Sequence, residues 1–227
     1  MATSVETPRR GAPLPPEESP AFAALLRWLG AHRRPVATGA ALLAIAAGLI
    51  WWNMASRTRV EAAASQRLEQ ARLGFESHNY PLAASELQQV VENYAGTRAA
   101  AQAELLLAQV RLYQGQPQQT IDLLKRVAPG LGRDFSAQGF GLLGAAYENV
   151  AHPAEAAGAY EEAARRAQFA FLRAQYLADA SRAWLATHDT TKALADYTII
   201  VSGMDSTAVV AEARVRLGEL TRGAGKP

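Results

Sequence analysis

Three glycines in the segment QGFGLLGAAYENVAH, Gly139, Gly141 and Gly144, spell G-x-G-x-x-G. That spacing lets a strand-to-helix turn bring its backbone against a dinucleotide pyrophosphate. Glu161 and Glu162 follow about where the fingerprint places its ribose ligand. A dinucleotide site also needs a buried strand before the first glycine. The segment that precedes it here, GRDFSAQ, is a polar linker. Glu161 and Glu162 belong to YEEAARR, where Arg165 and Arg166 follow at i+4, the spacing of ion pairs on a solvated helix face. The glycines therefore need another explanation.

Other chemistry is equally sparse. The chain has no cysteine, which excludes a disulfide framework, a thiolate metal site and a cysteine nucleophile. There is no G-x-S-x-G elbow and no H-E-x-x-H. We expect no enzyme, no cofactor, no metal site and no small-molecule substrate. The formal net charge is +2. Residues 1–34 carry five Arg against three Glu, and residues 57–227 carry 18 basic and 18 acidic side chains. A nucleic-acid partner requires a concentrated cationic face, so none is expected.

The elements that hold these residues are helical. Alanine is abundant while Val, Ile and Thr are sparse, which favours an all-α fold. A small residue recurs at Ala83, Thr120, Ala156 and Ala193, spaced 37, 36 and 37 positions apart. Each is followed at +4 and +7 by an apolar or small residue: Leu87 and Val90, Leu124 and Val127, Tyr160 and Ala163, Tyr197 and Ile200. Each is preceded by a polar turn and another apolar-periodic helix. The pattern predicts four helix–turn–helix units over 57–221, closed by a capping helix at 208–220.

This arrangement resembles the tetratricopeptide repeat, with its W-x2-L-G-x2-Y then A-x3-F pattern. The third unit carries it best, through Phe140, Leu143, Gly144 and Tyr147, then Ala156 and Tyr160. Gly144 and Ala156 are expected where the two helices cross closely, with Phe140, Tyr147 and Tyr160 around the crossing. The other units have Ala71, Ala108 and Ser181 at the Gly144 position. His78, His152 and His188 recur in the turns between the paired helices. Equivalent turns stand roughly 8–10 Å or more apart, too far for ligands of one metal at about 2 Å, so the histidines read as polar turn residues.

The resemblance implies that the first helices of the units line a concave groove that binds partners. The groove-facing row falls at Arg72, Phe75, Gln109, Leu112, Ala145, Glu148, Asn149, Arg182 and Leu185. The chain has three lysines, Lys125, Lys192 and Lys226, and none is on a first helix. A Lys/Asn clamp for a C-terminal carboxylate is therefore not expected.

The N-terminal part differs in kind. Residues 1–20 contain five prolines and few large apolar groups, which predicts a disordered tail, and 222–227 predict a disordered end. Ser19–Pro20 then suits a helix start. AFAALLRWLG, with Phe22, Leu25, Leu26 and Leu29 on one side, gives residues 21–34 the pattern of a short amphipathic interfacial helix, or of a short helix with no membrane role. Residues 35–54, PVATGAALLAIAAGLIWWNM, carry no charge and are about as long as a hydrocarbon core is thick. Arg33 and Arg34 precede them, Trp51 and Trp52 lie at the far end, and Arg57 and Arg59 follow, the flanks of a transmembrane helix. The long preceding region and poor cleavage site favour an uncleaved anchor over a signal peptide. Arg27, Arg33 and Arg34 outweigh Arg57 and Arg59, which predicts a cytoplasmic N-terminus and an extracytoplasmic repeat domain. Ala40, Ala44 and Gly48 form a small-residue row suited to packing on another membrane helix.

Tail, span and repeats together, with FAALLRWLGAHRRPVATGAALLAIAAGLIWW leading directly into the first unit, look like the ancillary SecYEG translocon subunit family of bacterial inner membranes. That resemblance covers about residues 22–221. It implies a single-pass protein of the bacterial inner membrane, whose extracytoplasmic domain meets emerging, unfolded substrates, envelope proteins or chaperones beside the translocon. The proline-rich tail departs from the family. Two other readings stay open: a scaffold for envelope assembly or cell division, and a cytoplasmic-facing docking protein if the topology is inverted.

Overall fold

A computed structural model describes residues 28–29, 31–203 and 208–221 of the chain. The expected disordered segments 1–20 and 222–227 and most of the expected interfacial helix 21–34 lie outside the described residues, as does the side chain of Ala40. Among the described residues all regular structure is helical. The helices are α1 (Arg33–Glu76), α2 (Tyr80–Asn93), α3 (Arg98–Tyr113), α4 (Pro117–Val127), α5 (Ser136–Asn149), α6 (Pro153–Arg166), α7 (Ala170–Ala186), α8 (Thr190–Gly203) and α9 (Ala208–Thr221). A 3-10 turn, Ala128–Gly130, follows α4.

Two compact units divide the chain, residues 1–56 and 57–227. Between Gly48 and Gly74 there is no glycine or proline to interrupt α1, which runs unbroken for 44 residues. By length and composition Ala37–Glu76 can cross a membrane, its most apolar window having a mean hydropathy of 1.5 and no part buried within the chain. In the first unit Ala44 is exposed, and a Cβ added at Gly48 would meet nothing within 4 Å.

In the second unit the helices pair as the repeat predicts: the Arg57–Glu76 part of α1 with α2, α3 with α4, α5 with α6 and α7 with α8, with α9 packed on both α7 and α8. The turn inside each pair is built identically. His78, Gly115, Ala151 and His188 have φ of 58°, 70°, 56° and 63°, the left-handed region. Their spacing is again 37, 36 and 37. Each N–H bonds three residues back, to Phe75, Leu112, Glu148 and Leu185. The next N–H bonds five residues back, from Asn79, Gln116, His152 and Asp189 to Gly74, Arg111, Tyr147 and Trp184. This is the Schellman closure, which satisfies the last carbonyls of a helix. Only Gly115 takes that φ without cost, and histidine is among the residues that tolerate it best.

All three histidines lie in these turns, but not at one position. His78 and His188 occupy the left-handed position, whereas in the third unit Ala151 does and His152 follows it. The second helix then starts at once, with Pro81, Pro117 and Pro153 in the first turn of α2, α4 and α6, where no amide partner is lost.

Packing follows the small residues. Ala71, Ala108, Gly144 and Ser181 on the first helices and Ala83, Thr120, Ala156 and Ala193 on the second are all buried. The two hydroxyls among them bond across the crossings. Thr120 Oγ1 donates to the Ala108 carbonyl at 3.3 Å, and Ser181 Oγ lies 3.5 Å from the Ala193 carbonyl. One cluster around Leu87, Val110 and Leu124 spans α1 to α6, and a second around Tyr160, Tyr197 and Ile200 spans α6 to α9.

Each glycine of G-x-G-x-x-G faces a different neighbour. A Cβ at Gly139 would stand 2.8 Å from Leu131 Cδ1, one at Gly141 2.5 Å from Tyr176 Cε1, and one at Gly144 2.7 Å from the Tyr160 ring. The motif thus lets α5 accept the segment after α4, helix α7 and helix α6 at close range. The repeat pattern accounts for the Gly144 crossing, whereas the close approaches at Gly139 and Gly141 come from outside the helix pair.

Candidate functional site

The first helices form one layer. Helix α3 packs on α5, and α7 packs on α9. Helix α5 meets α7 through Gly141 and Tyr176 and through an ion pair, Glu148 with Arg182. The solvent side of this layer carries the row expected to bind partners.

Two residues of that row are partners of each other. Arg182 Nη1 donates to Glu148 Oε1 at 2.8 Å, and Arg182 Nη2 donates to Asp179 Oδ1 at 3.1 Å. The other Glu148 oxygen accepts the Tyr160 hydroxyl at 2.9 Å. Burial and the Glu148 carboxylate both push the Tyr160 phenol up, so it stays a donor. The ring that covers Gly144 is thereby tied from its far end to α5 and, through Glu148, to α7.

Beside this network a cleft of about 430 Å³ opens between α7 and α9. Arg182, Leu185 and Asp179 form one wall, Val209, Glu212 and Arg216 the other, and Tyr197 of α8 also lines it. Both walls mix charge with apolar surface. Arg216 is paired with Glu219 at 3.1 Å on its own helix.

The rest of the row is more dispersed. Arg72 is exposed and pairs with Glu69 at 3.5 Å. Gln109 and Ala145 are half-buried, and Leu112 packs against the first core cluster. Asn149 is exposed, and its amide donates back to the Ala145 carbonyl at 2.8 Å. Phe75 joins Tyr80 and Tyr113 in an aromatic group, with centroids 5.5–5.9 Å apart and the two tyrosines stacked. Tyr80 and Tyr113 were not among the expected residues. Their signal in the sequence was position alone, each beside a turn between paired helices.

Glu161 and Glu162 are less free than a solvated face implies. Glu161 accepts the Trp184 indole N–H at 2.7 Å, and Lys192 Nζ lies 3.7 Å over that indole. Glu162 takes both Arg165 and Arg166, whose hydrogen bonds hold its carboxyl below the usual range.

The family model described as tetratricopeptide repeat-like domain matches residues 53–178. The chain belongs to that family. The tetratricopeptide repeat-like match ends within α7, yet the Ser181–Ala193 crossing and the His188 turn show the same unit once more. Two solved structures of putative kinesin light chain nearly identical TPR-like repeats from Podosopora anserina, one a point variant, are similar in fold. Their identities are 17% and 18%, and each has a TM-score of 0.56, covering 72% of this chain and 87% of the other. No curated protein matches the sequence. Tetratricopeptide repeat-like folds are typically non-catalytic scaffolds for protein interaction.

Proposed function

We propose that this chain is a membrane-anchored protein–protein interaction module whose first-helix layer receives segments of partner proteins. In this reading the repeat domain lies outside the cytoplasm. It assists secreted or envelope proteins beside the translocon, as an adaptor or chaperone-like factor. The observation that carries the binding role is the cleft between α7 and α9, where Arg182, Arg216 and Leu185 stand around Tyr197. Arginine side chains are among the usual anchors of protein interfaces, and the buried Tyr197 forms the floor beneath them. The alternating acids Asp179 and Glu212 suit an amphipathic segment of mixed charge better than a single carboxylate. The anchoring role draws its support from the apolar half of α1.

Arg182→Ala with Arg216→Ala tests the site. Both side chains are about half exposed, so losing their pairs should change stability by only about 1 kcal/mol per pair or less. Partner recovery from detergent-solubilised membranes should fall, with melting nearly unchanged. Translocon subunits among the partners recovered by the wild type support the proposed setting. Cell-wall or outer-membrane assembly factors in their place point to an envelope scaffold. Equal recovery by wild type and variant moves the binding site off this cleft.

A further inference from the structure

The turns within the pairs occupy one edge of the repeat domain, and the loops between pairs occupy the other. A thread of contacts follows the second edge. The Glu61 carboxylate accepts the Arg98 and Ala99 N–H groups at 2.8 and 2.9 Å, capping α3. Arg98 pairs with Asp134 at 3.1 Å. Gln168 donates to the Arg133 carbonyl at 2.9 Å and to Asp134 at 3.3 Å. The loop before α7 is thereby joined, step by step, to the end of the domain at which the chain enters from the apolar segment.

That edge has an unusual surface. Over residues 57–61, 92–98, 125–134 and 162–173 the sequence holds nine Arg and Lys against four Asp and Glu. Over the opposite turns, 73–80, 111–118, 148–155 and 185–192, it holds two against four. The domain as a whole is neutral, so the charge is sorted between its edges. Phe169 and Phe171 stack at 5.7 Å on the cationic edge and are each 59% exposed, between Arg166 and Arg173. Exposed rings flanked by arginines match the headgroup zone of a bilayer, where rings enter the acyl boundary and guanidinium groups meet phosphates. A cleft of about 650 Å³ lined by Arg98, Arg126 and Arg133, with Glu104 and Asp134 sharing its walls, opens among the same loops.

We infer that this loop edge lies on the membrane surface, with Phe169 and Phe171 as interfacial anchors and the arginines on anionic phospholipid headgroups. The inference rests on the anchored reading of α1. It adds a second attachment that fixes which side of the repeat domain faces away from the lipid. The turn edge with His78, Gly115, Ala151 and His188 then points into the aqueous phase.

The test uses the full chain, which has no cysteine of its own. A fluorophore is placed on Ala170→Cys, beside both rings, or on Ala154→Cys, an exposed position beside the opposite turns. The protein is reconstituted in vesicles of phosphatidylcholine with phosphatidylglycerol, or of phosphatidylcholine alone, each with a doxyl-labelled quenching lipid. Alkaline carbonate extraction reports insertion separately. The inserted protein should show the Ala170 label quenched about twofold or more over the Ala154 label in anionic vesicles. Each cation near an anionic surface favours attachment by about fivefold. Replacing Arg126, Arg133 and Arg173 by Gln, or both phenylalanines by Ser, should therefore remove the difference. A carbonate-resistant protein whose two labels quench alike overturns the lipid-facing edge and leaves the anchor standing, as does an Ala170 label that is shielded by a bound protein and not by lipid. Complete extraction by carbonate overturns the anchor and this inference with it.

Discussion

At the scale of single residues, Gly144 is defined by what covers it. The Tyr160 ring stands 2.7 Å from where a Cβ would be, and its hydroxyl is held by Glu148, so it cannot swing away freely. Gly144→Ala should cost about 1–3 kcal/mol of stability through overpacking, measured by urea unfolding of residues 57–227; an unchanged midpoint would mean that the ring yields. The sequence made Gly144 legible because its small equivalents recur at the repeat period. It left Gly141 illegible because Tyr176, which fills its place, comes from the next unit. Asp196 was equally hidden. It is 7% exposed, and one of its oxygens has no hydrogen-bond partner among the described residues. Burial first, and the Glu161 carboxylate second, raise it to about 7. The folded chain thus holds this proton more tightly than the unfolded chain, where Asp titrates near about 4. The stability it contributes is full below about pH 4, falls as pH rises and is lost above about pH 7. Asp196→Asn should flatten the decline in melting temperature between about pH 4 and about pH 7. A variant that declines as steeply as wild type would assign that slope to other groups.

At the scale of elements, four identical helix closures set the repeat. The period was readable from Ala83, Thr120, Ala156 and Ala193, because close crossings demand small side chains wherever they recur. The left-handed position was not readable, since His78, Gly115, Ala151 and His188 share a conformation but not one residue type. Ala151 is the costly one. An L-residue with a Cβ pays about 1–2 kcal/mol in this region, and glycine does not. Ala151→Gly should raise stability by up to about 1 kcal/mol, after the larger backbone entropy of glycine in the unfolded chain is subtracted. Thermal melting checks this, and a lower melting temperature would show that the Ala151 methyl makes a contact worth more than the strain. The row expected on the first helices was legible in register but not in partnership. Helical spacing put Glu148 and Arg182 on one face, yet only the stacking of α5 on α7 pairs them.

For the whole molecule, a neutral repeat domain sorts its charge between two edges. The apolar half of α1 gives it a candidate anchor, the loop edge carries arginines and two exposed rings, and the α7–α9 cleft has walls of mixed charge. The fold was legible because packing of small residues writes a period into the sequence. The cleft was half legible: Arg182 and Leu185 belong to the repeat, whereas Val209, Glu212 and Arg216 come from α9, a capping helix outside the repeat pattern. The most direct test of the binding role is site-specific photo-crosslinking in membranes of the producing cell. A photoreactive residue replaces Arg216 in the cleft or, as the comparison, Gln118 on the exposed side of α4. Crosslinks from position 216 to a defined set of proteins, weakened by Arg182→Ala and absent from position 118, are the predicted result. The same crosslinks from position 118, or none from position 216 while binding persists, would contradict a partner site on the first-helix layer.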